Sequence, residues 1–238
     1  MPKRLWAAGL ALALLAPLYA AQSNRDDDVQ RIQKATEVLR QIQAVPEQAI
    51  PTAILSGAKC IAVIPSEKKF ALGFGGNYGK GLVTCRNGAR WSAPAFITIG
   101  GGSWGLQIGG QASDVVMVFR NREGVERLLS NKVQIGAGAS AAAGPVGRNA
   151  AAGTDATLNA EILTYARSRG AFAGVSLNGS IVQPDETGNI AMYGRAPRYQ
   201  QILGGQVAPP AAAHPLLAEV AQITQGRAAA SPSRRHNP

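Results

Sequence analysis

The sequence predicts an α+β fold: a strongly curled or barrel-like antiparallel β-sheet with N-terminal amphipathic helices and one intervening helix. Three observations carry this reading. Apolar residues recur at three- and four-residue spacing near the N-terminus, whereas after Gly57 they fall into short β-rich runs. Glycines gather inside those runs, as Gly73, Gly75, Gly76, Gly79 and Gly81 and again as Gly100, Gly101, Gly102, Gly105, Gly109 and Gly110. Within strands they mark bulges, coiling or close backbone approach, which a sheet needs in order to close. The third observation is compositional. With 46% hydrophobic, 5% aromatic and 16% charged residues in 238, the chain has the balance of one sizeable domain with appendages and a core of small and β-branched side chains. That balance excludes disordered and fibrous classes.

At the N-terminus Lys3 and Arg4 precede an apolar run over 5–16, which ends at Pro17 and the small residues Ala20 and Ala21. This is the pattern of a secretory signal peptide over 1–21. The run is short for a transmembrane span and Arg25, Asp26, Asp27 and Asp28 follow it, which favours cleavage after Ala20 or Ala21 over an uncleaved anchor. Cleavage leaves 22 basic residues against 14 acidic ones, or +8. An exported, basic protein of the periplasm or envelope meets anionic lipid or glycan rather than nucleic acid.

The apolar set Val29, Ile32, Ala35, Val38, Leu39, Ile42 and Val45 predicts an amphipathic helix that starts near Asn24 and its three Asp and is ended by Pro46. At roughly 100° per residue Arg31 falls inside the apolar arc while Lys34 and Arg40 lie on different flanks, so the helix is expected to pack on the domain. A short second helix over 51–56 begins at Pro51 and stops at Gly57. Next, 60–64 and 70–74 read as a hairpin whose polar turn is 66–69. Further strands are expected over 82–85, 95–99, 105–108, 115–119, 162–165 and 171–182. The alternation in the last implies a sheet with one wet face. Asn121 is a plausible cap for an intervening helix over 121–131. The domain is expected over 22–197, with a flexible Pro- and Ala-rich tail over 198–238 that carries one short helix near 216–223.

Residue types restrict the chemistry. His214 and His236, both in the expected tail, are the only histidines, which excludes a His-based triad or zinc site inside the domain. Gly100, Gly102 and Gly105 spell GxGxxG, yet no helix follows to present amides to a phosphate. Gly79-Lys80 is followed by Gly81 rather than Ser or Thr, so it is no phosphate loop. The carboxylates Asp114, Asp155 and Glu161 are far apart, and surface or capping roles outweigh hydrolysis for each. The expectation is a protein that is not an enzyme and holds no metal or cofactor. Cys60 and Cys85 are candidates for one bridge in an oxidising compartment, with two buried thiols on neighbouring strands as the alternative.

Basic residues stand at predicted loop ends: Lys68 and Lys69 in the first turn, Arg86 and Arg90 around a second turn at Asn87-Gly88, then Arg120, Arg122, Arg127, Arg167 and Arg169. If these loops face one way they form a rim able to meet lipid phosphates; a plain solvated rim fits equally well.

Four segments together carry a family likeness: AKCIAVIPSEKKFALGFGGNYGKGLVTCR at 58–86, WSAPAFITIGGGSWGLQIGGQASDVVMVF at 91–119, AAAGPVGR at 141–148 and ILTYARSRGAFAGVSLNGSIV at 162–182. They resemble the SYLF domain, over about residues 29–195. The resemblance implies a non-enzymatic lipid-binding domain, since eukaryotic members associate with phosphoinositide membranes and actin filaments, and bacterial relatives carry signal peptides. For an exported chain it implies binding to anionic phospholipid or a membrane surface. Membrane attachment in the eukaryotic proteins involves the amphipathic N-terminal segment and basic residues, which correspond here to Arg31, Lys34 and Arg40 and to Lys68 and Lys69. The alternative is an envelope structural adaptor that binds a protein or glycan partner.

Overall fold

In the computed structural model, which describes residues 6–47, 49–72, 74–103, 109–130, 132–147, 159–168, 171–194 and 197–225, helix α1 spans Trp6–Ala44. It runs through Asn24 and the three Asp without restarting there, which corrects the expected helix start. The reason is local: nothing from 21 to 28 is a helix breaker. No helix of the described residues is long and apolar enough to cross a membrane. The predicted apolar arc is the packed one, with Ile32, Ala35, Val38, Leu39 and Ile42 all buried, Val29 half-buried and only Val45 exposed. Helix α2 (Thr52–Ser56) follows, with Pro51 at its N-cap and Gly57 at its C-cap.

The strands are β1 (Cys60–Leu72), β2 (Phe74–Asn87), β3 (Arg90–Trp91), β4 (Ala95–Ser103), β5 (Gly109–Phe119), β6 (Val133–Gln134), β7 (Ala141–Ala143), β8 (Ile162–Ser168), β9 (Ala171–Gly174) and β10 (Ile181–Pro184). Helix α3 (Arg122–Leu129) lies between β5 and β6, capped by Asn121 Oδ1, which accepts the Gly124 N–H at 2.9 Å. Helices α4 (Glu186–Tyr193), α5 (Tyr199–Leu203) and α6 (His214–Thr224) complete the described chain. Among the described residues the strands form one sheet of order β6-β10-β4-β2-β1-β5-β8-β7, with β3 beside β2 and β9 beside β8. Its edges, β6 and β7, are separated by only six residues, 135–140, and this link bonds to both sides. Ile135 N–H donates to Ser180 O and Gly179 N–H to Ile135 O, while Ile162 N–H donates to Ser140 O. The sheet is therefore curled into a half-barrel, as expected. It is mixed rather than purely antiparallel, because β7 runs parallel to β8.

Two apolar layers cover the sheet. Ile61, Val63, Leu82, Phe96, Val116 and Val118 meet α1, α2 and α6 on one face. Cys60, Ala62, Ile64, Ile97, Val115 and Met117 meet Leu128 of α3 and Tyr199, Ile202 and Leu203 of α5 on the other. The expected wet face is thus a second buried one, because residues 198–225 fold back instead of trailing as a tail. Leu216, Val220 and Ile223 of α6 join the first layer and α5 closes the second. Residues 226–238 lie outside the described residues.

Two strand expectations also differ. The polar stretch 66–69 is no turn: β1 continues through it, and the hairpin to β2 falls where Leu72 pairs Phe74. Between Ile64↔Val115 and Glu67↔Ser113, β1 advances three residues while β5 advances two, a one-residue bulge. Pro65, which has no N–H to give the ladder, and Ser66, with φ of 56°, absorb it; Ser66 N–H donates to Asp114 Oδ1 at 3.0 Å. The single strand expected over 171–182 is two, β9 and β10, separated by a turn at Asn178 and Gly179. The strand expected over 105–108 lies outside the described residues.

Candidate functional site

The predicted basic residues fall into separate places, and the first group divides three ways. Arg31 points into the domain, its side chain only 11% exposed. Its guanidinium contacts Asp28 Oδ1 at 2.9 Å and Asp185 Oδ2 at 3.1 Å and stands over the Phe96 ring at 5.3 Å. It is therefore occupied inside the fold and presents no surface cation. Lys34 is exposed, and Arg40, also exposed, reaches Glu219 of α6 at 3.2 Å.

Cys60 and Cys85 face one another across β1 and β2 and are joined by a disulfide. Arg86, the next residue, is half-buried: its Nε donates to Ala58 O at 3.3 Å and its guanidinium lies over the Trp91 ring at 4.7 Å. Arg90, opposite Asn87 in β3, and Lys59 are exposed at the same end of the sheet. Arg86 N–H donates to Lys59 O, which ties these backbones together.

Lys68 and Lys69 lie at the other end. Eight residues of β1 separate Lys68 from Cys60, roughly 25 Å at the rise of a strand. No single rim joins Lys68 and Lys69 to Arg86 and Arg90, because the expected turn is a bulge and β1 continues through positions 68 and 69.

At that far end the register sets a row. Lys68 pairs Tyr78 and Ala112, Phe70 pairs Gly76 and Gly110, Leu72 pairs Phe74, and Tyr78 pairs Gly100. Partners across a ladder share a face, so Lys68, Phe70, Leu72, Phe74 and Tyr78 occupy one face, opposite glycine or alanine at most positions. Tyr78 is 49% exposed on it. The other face carries Lys69, paired with Asn77 and Gln111, and is covered at its base. There Asn77 Nδ2 donates to Ser180 Oγ at 2.8 Å, and a Cβ placed on Gly101 would lie 2.8 Å from Gly179 O.

Sequence reasoning missed a polar cluster between α1 and the sheet. Asp185 accepts from the Gly188 N–H at 3.2 Å through Oδ1 and takes both Arg31 and Lys80 on Oδ2, the latter at 3.4 Å. Asp28, 2% exposed, holds Arg31 through Oδ1 and keeps Oδ2 buried without a hydrogen-bond partner. Burial is the main cause that raises its pKa to about 6, with Arg31 opposing. In the sequence Asp28 is one of three consecutive Asp, and nothing in the spacing separates it from its solvated neighbours.

The expected carboxylates do not converge. Asp114 takes the Ser66 amide, Glu161 pairs with Arg127 at 2.9 Å, and Asp155 lies outside the described residues. Among the described residues no three of His, Cys, Asp and Glu gather as metal ligands. Gly100 and Gly102 are strand residues of β4, paired with β2, and present no helix start. A cleft of about 300 Å³ between α2 and the junction of β5 with α3 has Arg120 as its one titratable lining residue, beside Asn121 and Asn159.

Residues 100–223 match the family model Ysc84, described as Las17-binding protein actin regulator. An SH3 domain-containing protein of Schizosaccharomyces pombe is 37% identical over 174 residues, 71% of this chain and 40% of its own. Protein YSC84 of Saccharomyces cerevisiae is 34% identical over 175 residues, 72% of this chain and 37% of its own. The human SH3 domain-containing YSC84-like protein 1 is 33% identical over 190 residues, 77% of this chain and 55% of its own. The chain thus corresponds to between about two fifths and about half of these relatives.

Proposed function

This chain belongs to the Ysc84 (SYLF) family of non-enzymatic binding proteins, and on that premise we propose that it binds the surface of an anionic phospholipid membrane. The observation that carries the reading is the row of Lys68, Phe70, Leu72, Phe74 and Tyr78 at the glycine-rich end of the sheet. Aromatic and aliphatic residues enter the headgroup boundary, while lysine meets phosphate; each basic residue near such a surface contributes about 1 kcal/mol. The leader-like stretch over 1–21 supports a periplasmic or envelope setting for this activity. Arg31 lies inside the fold, and Lys34, Arg90 and Lys59 are among the exposed cations elsewhere on the molecule.

The test is co-sedimentation of the purified chain with anionic and zwitterionic vesicles at low and high salt. Binding confined to anionic vesicles and weakened by salt supports the reading. Lys68→Glu with Lys69→Glu should lower that binding at least tenfold, whereas Lys59→Glu with Arg90→Glu should leave it within about twofold, by the per-charge contribution above. Equal loss in both pairs would assign binding to diffuse charge and not to this end.

A second reading rests on the relatives. A yeast relative is named LAS seventeen-binding protein 3, which favours a protein partner for this chain. Absence of vesicle binding together with one stoichiometric protein crosslinked in the envelope would favour it.

A further inference from the structure

The cluster between α1 and the sheet holds two carboxylates and two cations, and its two carboxylates are not equivalent. Asp185 is saturated: Oδ1 caps α4 through Gly188, and Oδ2 receives Arg31 and Lys80. Asp28 has one oxygen on Arg31 and the other, Oδ2, buried with no donor. The carboxylates are also close. A Cβ placed on Gly188 would lie 3.2 Å from Oδ2 of each, and 3.2 Å from Phe96 Cβ. A proton added to Asp28 Oδ2 would break no hydrogen bond in the cluster, would remove the charge that burial disfavours, and would relieve repulsion from Asp185. Arg31 would keep its contact with Asp185.

We propose that Asp28 is a proton-binding site that makes the seating of α1 on the sheet pH-dependent, tighter in mild acid than at neutral pH. The charged groups that face it are Arg31 and Asp27 on α1, Asp185 before α4, and Lys80 on β2. Phe96 of β4 contributes its ring and no titratable group. The device is placed to matter because Asp28 and Arg31 precede the apolar arc of Ile32, Ala35, Leu39 and Ile42, which is the contribution of α1 to the first core layer. The raised pKa of about 6 agrees with this geometry and sets the range in which the change occurs. Among the described residues the cluster has no His, the side chain that ordinarily titrates at this pH.

The test uses the intact chain. Carboxyl-carbon NMR should show Asp28 titrating near pH 6, and hydrogen exchange, corrected for intrinsic rate, should show residues 28–42 protected about tenfold more at pH 5 than at pH 7.5. Asp28→Asn should give the same protection at both pH values. A midpoint in the ordinary carboxylate range near 4 would overturn the proposal, as would an unchanged pH dependence in Asp28→Asn. If the variant does not fold, the wild-type titration decides alone.

Discussion

The side chain of Asn189 and the backbone of Phe96 pair in both directions: Phe96 N–H donates to Asn189 Oδ1 at 2.8 Å, and Asn189 Nδ2 donates to Phe96 O at 3.1 Å. Strand β10 pairs β4 only as far as Ile97, so the carboxamide of α4 takes the place of the next strand residue. Phe96 O also receives the Asp185 N–H at 2.9 Å.

Asn189→Ala should therefore strand a fully buried amide donor and cost about 2–3 kcal/mol, read as a lowered urea midpoint with unchanged slope.

Gly81 lies under the β1 bulge, where a Cβ would meet Val63 O at 2.4 Å and Ile64 Cα at 2.9 Å. Both are backbone atoms of a strand held on two sides, so neither can yield. Gly81→Ala should cost about 3 kcal/mol, the upper end of overpacking. Gly88, in the turn before β3, has φ of 61° and open space around its Cβ position, so Gly88→Ala should cost only about 1–2 kcal/mol. Thermal melts of the two variants should differ accordingly.

The disulfide closes a separation of 25 residues between directly paired strands. Replacing both cysteines by alanine should lower stability by about 3 kcal/mol, chiefly by freeing the unfolded chain, and reductant should do the same to the wild type. Denaturant titration with and without reductant checks this; equal midpoints would show that the bridge is absent in solution.

Leu216 of α6 is fully buried against the first core layer. Leu216→Ala should destabilise the whole domain by about 2–4 kcal/mol, with one cooperative transition. Limited proteolysis of the wild type should leave residues 198–225 attached; early cleavage there would make them the tail that composition suggests.

Stability should also depend on pH through Asp28. Its pKa rises from 3.8 unfolded to about 6 folded, so the folded state binds the proton more tightly. The contribution, at most about 3 kcal/mol, is fully present below pH 3.8 and is lost as pH rises through 6. Other carboxylates add their own pH dependence, so the measurement is the difference in unfolding free energy between wild type and Asp28→Asn from pH 4 to 7.5. Relative to the variant, wild type should weaken steadily over that range.

The sequence by itself determined the local periodicities. The apolar arc of α1, the β-rich runs of β1, β4, β5 and β8, the Asn121 cap and the glycines of a curled sheet are all written in neighbours a few residues apart, where 3.6- and 2-residue periods operate. The family likeness lies in those same runs. Only the tertiary structure decided what each charge faces. Arg31 reads as a flaw in an apolar arc until Asp185, 154 residues away, is brought beside it. The stretch 66–69 reads as a turn until strands on both sides hold it straight and force the surplus residue into a bulge. Residues 198–225 read as tail because proline and alanine carry no strong period, and they are ordered by the two apolar layers they cover. Partnership between distant residues is a property of the closed sheet, which is why the cluster around Asp28 had no signal in the chain.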